Sequence, residues 1–256
     1  MSANEINNRL KEERYNNKGC LMKIVQYNNG NDIVVEFQDE YKYKIHTTYQ
    51  AFYKGNVKNP YYPSVYGVGV VGDKYPISKN GKLIKEYDTW KCMLRRCFDK
   101  RYKEKQPSYQ NVSCCDEWLL YENFYEWIHE QENFDKWLVG VRWALDKDIL
   151  IKGNKTYSPN ACCLVPQNVN NVFTIKDIKQ DISPVTINEV LDYCDDNQLD
   201  INRDNIKYAV ECISKDRYKF KKENLIRKVA QKEYIKGNIT KQCYDAMINC
   251  QAKIVD

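Results

Sequence analysis

From Val141 to Phe173 the alternation of apolar and polar positions changes period twice. Val141, Trp143 and Leu145 alternate with Arg142 and Ala144, which predicts a strand with one apolar face ending near Asp146-Lys147. Gly153-Asn154 and Ser158-Pro159-Asn160 then predict a long polar loop. Cys162 to Val165 is a short apolar run stopped by Pro166, the second strand of a hairpin. After it, Val169, Val172 and Phe173 take helical spacing, leaving Asn168, Asn170 and Asn171 on the other faces. The expected order is strand, loop, strand, short helix.

The front of the chain carries a period of two. After a polar lead-in (1–18), C-L-M-K-I-V-Q-Y and D-I-V-V-E-F-Q flank the turn Asn28-Asn29-Gly30-Asn31. Tyr41, Tyr43 and Ile45 alternate with Lys42, Lys44 and His46, and Val65 to Val71, with Gly67 and Gly69, predicts a further curved strand. Several short strands in one compact stretch suggest a small β-barrel of SH3-like type over residues 19–78. Ser78-Lys79-Asn80-Gly81-Lys82 is a linker.

Beyond it the spacing turns helical. Trp90, Met93, Leu94 and Cys97 share one face, and Asp116 caps a helix with the stripe Leu119, Leu120, Phe124 and Trp127. Asp181-Ile182-Ser183-Pro184 punctuates the chain, and Thr186 caps a helix through Tyr193. Ile206–Ile213, Phe220–Tyr234 and Ile239–Ala252 complete a C-terminal helical region. The fold class is α+β, divided as lead-in 1–18, barrel 19–78, central domain 85–175 and helical domain 181–256.

Net charge is +5, mildly basic, which permits a nucleic-acid partner without demanding one. No apolar run approaches the roughly 20 residues that span a bilayer. With a polar start at Met1-Ser2-Ala3-Asn4-Glu5, a cytosolic location is expected. Eleven cysteines, an odd number, argue against a disulfide framework. Adjacent pairs such as Cys114-Cys115 and Cys162-Cys163 differ from a zinc knuckle, so zinc is not expected.

The sequences L-D-K-D (145–148), Y-S-P-N-A-C (157–162) and P-Q-N-V-N (166–170) together resemble the HNH, or ββα-metal, endonuclease motif. More narrowly, the likeness is to HNH-like proteins of phages and prophages. G-C-L-M-K-I-V-Q-Y (19–27), F-Y-K-G-N-V-K-N-P (52–60), W-K-C-M-L-R-R-C (90–97) and C-D-E-W-L-L-Y-E-N-F (115–124) are similar to further parts of that group. F-K-K-E-N-L-I-R-K-V-A (220–230) matches a helix that in relatives follows a three-stranded DNA-binding sheet, but 181–218 does not have the pattern of those strands. Weak signs of a helix-turn-helix among the last helices do not replace it.

The resemblance implies a double-stranded DNA partner and a divalent metal, Mg²⁺ by preference, which binds through few protein oxygens, waters and phosphates. It places Asp146 and Asn170 (or Asn171) as metal ligands and Asn160 as the residue that orients the general base. Lys147 departs from it, standing at the water-activating histidine. An imidazole near about 6.5 takes a proton at neutrality, whereas an ordinary lysine near roughly 10.4 already carries one. Neither His46 nor His129 is spaced to replace it. Lys91, Arg95, Arg96, Lys100, Arg101 and Lys103 form the most basic run of the front half, suited to tracking phosphates.

Two functions follow. One is a DNA-binding protein on an HNH-like core, either cutting with another base or gripping phosphate through Lys147. The alternative is a non-catalytic interaction protein, an inhibitor carried by a mobile element that acts on a host protein through its tyrosine-rich surface.

Overall fold

A computed structural model describes residues 9–173 and 183–249. The chain is α+β and divides into two compact units. One contains residues to Gln110 together with Asp116–Glu126; the other contains Asn111–Cys115 and the chain from Trp127 onward.

The first unit begins with a four-stranded antiparallel meander. Its strands are Glu13–Tyr15 (β1), Leu21–Asn29 (β2), Asp32–Phe37 (β3) and Lys44–Thr47 (β4), in spatial order β1-β2-β3-β4. Met22, Ile24, Ile33, Val35 and Phe37 fill one face, with Phe52 from the short helix Tyr49–Tyr53 (α1). Thr48 caps α1 by accepting from the Ala51 amide at 3.1 Å. Val25 bulges out of the β2–β3 register.

Among the described residues this sheet is open, not the closed barrel the strand pattern suggested. Two differences account for that. The expected strand at 41–46 starts only at Lys44, because Asp39 Oδ1 accepts from the Tyr41 and Lys42 amides and turns the chain, with Lys42 at φ +49°. The expected strand at 65–71 is instead a tight turn, with Val65 bridged to Gly69 and Val70 to Leu120. Gly69 lies so close to Leu94 and Trp90 that no side chain fits there. The strand β1 lies inside the stretch expected to be a polar lead-in; Glu13 faces Lys23 across the ladder.

A two-residue hairpin, Ser78–Lys79 (β5) and Lys82–Leu83 (β6), replaces the expected linker. The helix Lys85–Phe98 (α2) follows and buries Trp90, Met93, Leu94 and Cys97, as their spacing predicts. It stops at Asp99, whose carboxylate caps the next helix, Lys100–Lys105 (α3), through the Tyr102 amide. Asp116–Leu119 forms a 3-10 turn before Tyr121–His129 (α4). The buried stripe here is Trp118, Tyr121, Phe124 and Ile128, offset from the predicted Leu119, Leu120 and Trp127, which are half-buried. The 3-10 turn rotates that stripe.

The second unit contains Ser113–Cys114 (β7), Phe134–Val139 (α5), Trp143–Asp146 (β8), Thr156–Tyr157 (β9), Cys163–Pro166 (β10) and Gln167–Val172 (α6). Its helices are completed by Ile187–Asp196 (α7), Arg203–Ile235 (α8) and Lys241–Ile248 (α9). β7 pairs with β9 in parallel. The antiparallel pair β8–β10 aligns Asp146 with Cys163 and Trp143 with Pro166. Val141, expected on the strand's apolar face, lies outside it and is 87% exposed; Arg142 at φ +62° turns the chain before β8.

Val165, Val169, Val172 and Phe173 join Ile226 and Ala230 of α8 and Cys243 and Met247 of α9 in one core. The hairpin and its helix are therefore packed against the C-terminal helices. Where two helices were expected over 206–234, α8 is one continuous 33-residue helix. Nothing in S-K-D-R-Y-K-F between them breaks it, since it lacks both glycine and proline. The predicted Thr186 cap is a full capping box with Glu189. The closing helix is observed to Ile248, and the rest of the stretch expected to reach Ala252 lies partly outside the described residues, as do 181 and 182.

Among the described residues no helix is long and apolar enough to cross a membrane. The ten cysteines described are free thiols.

Candidate functional site

The strand, loop, strand and helix expected over 141–173 form as a hairpin followed by a helix: β8, a long loop, β10 and α6. Asp146 ends β8 and is only 9% exposed. Its Oδ1 accepts from the Asp148 amide at 2.7 Å and the Ile149 amide at 2.8 Å, closing an Asx-type turn. Burial raises the Asp146 carboxyl above its ordinary range; the two amides pull the other way.

Lys147 is also buried, and its ammonium is enclosed. Nζ donates to both carboxylate oxygens of Asp148 at 2.8 Å and to the carbonyl of Asn154 at 3.3 Å. It lies 5.8 Å from the centre of the Tyr157 ring. An ammonium has three donors, and all three are engaged within the loop. Asn154 fixes the same loop. Its amide nitrogen donates to the Lys147 and Thr156 carbonyls at 2.7 Å, and its Oδ1 accepts from the Thr156 amide.

Asp148 and Asn154 are the residues that sequence reasoning passes over. In the linear chain Asp148 shows only as the end of L-D-K-D, and Asn154 only as part of a chain break. The available signal was a second acid two residues after Asp146, which places a carboxylate beside any buried cation between them.

The asparagines are dispersed. Asn160 is exposed in the loop turn, and Asn170 is half-buried on α6; neither side chain makes a hydrogen bond among the described residues. Asn171 accepts from Gln167 at 2.8 Å, while Asn168 donates to Glu233 of α8 at 3.1 Å. Glu233 also accepts from Asn238 at 2.7 Å. That network fastens α6 to α8, a role for Asn168 that its position in the motif did not suggest.

Among the described residues no hydrogen bond links Asp146 to Asn170. Asp146 Oδ2 and the Asn170 amide oxygen are the oxygens left over for a divalent ion, since Oδ1 is committed to backbone amides. Among the described residues no group of three or more His, Cys, Asp or Glu side chains could hold a metal. Those two oxygens are of the kind that would hold Mg²⁺, which binds through one or two carboxylates and fills the rest of its shell with waters and phosphate oxygens.

The basic run lies in the first unit. Lys100 and Arg101 are exposed at the start of α3. Lys91, Arg95, Arg96 and Lys103 are half-buried. The Arg95 guanidinium is 4.7 Å from the Tyr102 ring centre, and that of Arg96 is 5.8 Å from the Tyr109 ring centre. Lys103 donates to the Gln110 carbonyl at 3.2 Å. Of the six cations, Arg95 and Arg96 are thus stacked on tyrosines, Lys100 and Arg101 face solvent, and Lys91 and Lys103 are half-buried. His46 contacts Asp32 on the exposed face of the sheet, and His129 packs on Phe134.

In comparisons with known proteins, no family model, curated protein or solved structure matches the chain.

Proposed function

We propose that this protein binds double-stranded DNA without cutting it, on a scaffold of the HNH-like ββα kind whose hydrolytic position has been converted into a structural one. The observation that carries this is the enclosure of Lys147. Where the resemblance puts a water-activating histidine stands an ammonium whose three donors are spent on Asp148 and Asn154. A general base must reach its water with a free lone pair. Phosphate gripping by Lys147 is set aside on the same ground. DNA contact is assigned instead to the solvent-facing cations, beginning with Lys100 and Arg101 of α3, because neutralised phosphates release counterions whatever the sequence.

The test is plasmid incubated with the protein and Mg²⁺ or Mn²⁺, beside Asp146→Ala and Lys147→His variants, with gel retardation in parallel. The expected result is intact plasmid in every lane and retardation that weakens steeply from low to physiological salt. Cutting by the parent that Asp146→Ala abolishes would overturn the non-catalytic reading. Neither cutting nor retardation would favour the interaction protein, whose exposed Tyr15, Tyr41 and Tyr53 lie on the first unit.

A further inference from the structure

The C-terminal half of α8 has two faces. Ile226, Ala230 and Glu233 point into the core of the second unit. Arg227, Lys228, Gln231, Lys232, Ile235 and Lys236 point outward and line a shallow concavity open to solvent. They recur at one helical turn, 227 to 231 to 235 and 228 to 232 to 236, so each row advances about 5–6 Å per step.

A row of lysines on a helix is ordinarily just solvated. What marks this one is that four cations line one concavity with no acidic side chain among them. Nearby ion pairs are Arg217 with Glu189, Lys241 with Asp245, and, at the rim, Lys236 with Glu233 at 3.7 Å. Arg227, Lys228 and Lys232 have no ion pair or hydrogen bond among the described residues. The side chain of Lys136 on α5 also reaches this end, donating to the Lys236 carbonyl. Among the described residues no acidic side chain lines the concavity, and Glu233 beneath it is held by Asn168 and Asn238.

We propose that this face of α8 is a second nucleic-acid contact, in which Arg227, Lys228 and Lys232 follow the phosphodiester backbone of a DNA strand. The surface is too open to enclose a small anion, and its charges are strung along an axis. That matches an extended polyanion with a charge every 3.4 Å or so per strand. Backbone contact of this kind sets register and affinity and reads no bases. The proposal rests on the DNA-binding reading above and adds a surface in the other unit.

The experiment is fluorescence anisotropy of the full chain with a random-sequence duplex across a salt series. Three variants are compared with the parent: R227Q/K228Q/K232Q, the charge-preserving R227K/K228R/K232R, and K100Q/R101Q. The glutamine triple should reduce the slope of log K against log salt by about 2–3, at roughly 0.9 for each phosphate no longer neutralised. The charge-preserving triple should keep the parent slope, and an unchanged melting temperature should show that both fold. If the glutamine triple matches the parent while K100Q/R101Q weakens binding, this surface is refuted and the DNA reading stands. If the parent binds no duplex at low salt, the DNA reading falls as well. Binding to phosphatidylserine vesicles, but not to duplex, that the glutamine triple abolishes would overturn nucleic acid as the occupant.

Discussion

Lys147 Nζ lies 2.8 Å from both carboxylate oxygens of its neighbour Asp148, and both side chains are at most one-tenth exposed. Adjacent residues in a strand point apart. These two meet because the Asp146 turn folds the chain at 148 and 149, and Asn154 returns the far side of the loop over them.

Removing one partner of that pair leaves the other buried and uncompensated. Asp148→Ala should therefore lower unfolding free energy by about 3–5 kcal/mol. Lys147→Met combined with Asp148→Ala should cost less than Asp148→Ala alone, because no stranded charge remains. Urea unfolding of the three variants measures the difference. Equal losses for the single and the double would show that the pair is not coupled.

Asp146 separates a structural carboxylate from a catalytic one. Its Oδ1 satisfies two buried amides, and burial raises its carboxyl pKa. Asp146→Asn keeps an oxygen in place and removes the buried charge, so stability should be nearly that of the parent. Asp146→Ala orphans both amides and should cost about 1–3 kcal/mol. Thermal melting reads this; an Asn variant as unstable as the Ala variant would contradict the turn-forming role.

At the start of α7, Glu189 carries a pH dependence. The amide and hydroxyl of Thr186 and the guanidinium of Arg217 all engage its carboxylate, pulling it from its ordinary 4.5 to about 2. The folded value is below the unfolded one, so this contribution is complete above about 4.5 and is lost as the pH falls toward 2. Protection factors along α7, taken relative to the intrinsic amide exchange rate at each pH, should fall across that window. Glu189→Gln should remove the pH dependence of that protection and leave it low throughout.

Gly72 in the first unit is at φ +76°, and an added Cβ would collide with the Glu122 carboxylate. That carboxylate accepts from the amides of Asp73 and Lys74 at 2.9 Å each. Gly72→Ala should therefore cost at least the roughly 1–2 kcal/mol of a left-handed alanine. Chemical denaturation gives the value, and a neutral effect would mean that the turn rearranges freely.

Periodicity alone located the elements whose partners are close in sequence. Trp90, Met93, Leu94 and Cys97 on α2, the β2–β3 hairpin, the β8–β10 hairpin with Val169 and Val172 behind it, and the Thr186 cap were all legible. Each rests on a local repeat or a local hydrogen bond, which a linear string preserves. Contacts between distant segments were not legible: the pairing of β7 with β9, the placement of Gly69 under α2, and the common core of the hairpin with α8 and α9. The same limit governed the candidate site. Sequence placed Asp146, Lys147 and Asn170 within one unit, but only the folded loop put Asp148 and Asn154 around Lys147 and gave Asp146 two amides to hold. A side chain's chemistry depends on what burial leaves beside it, and that is decided by how the chain returns on itself.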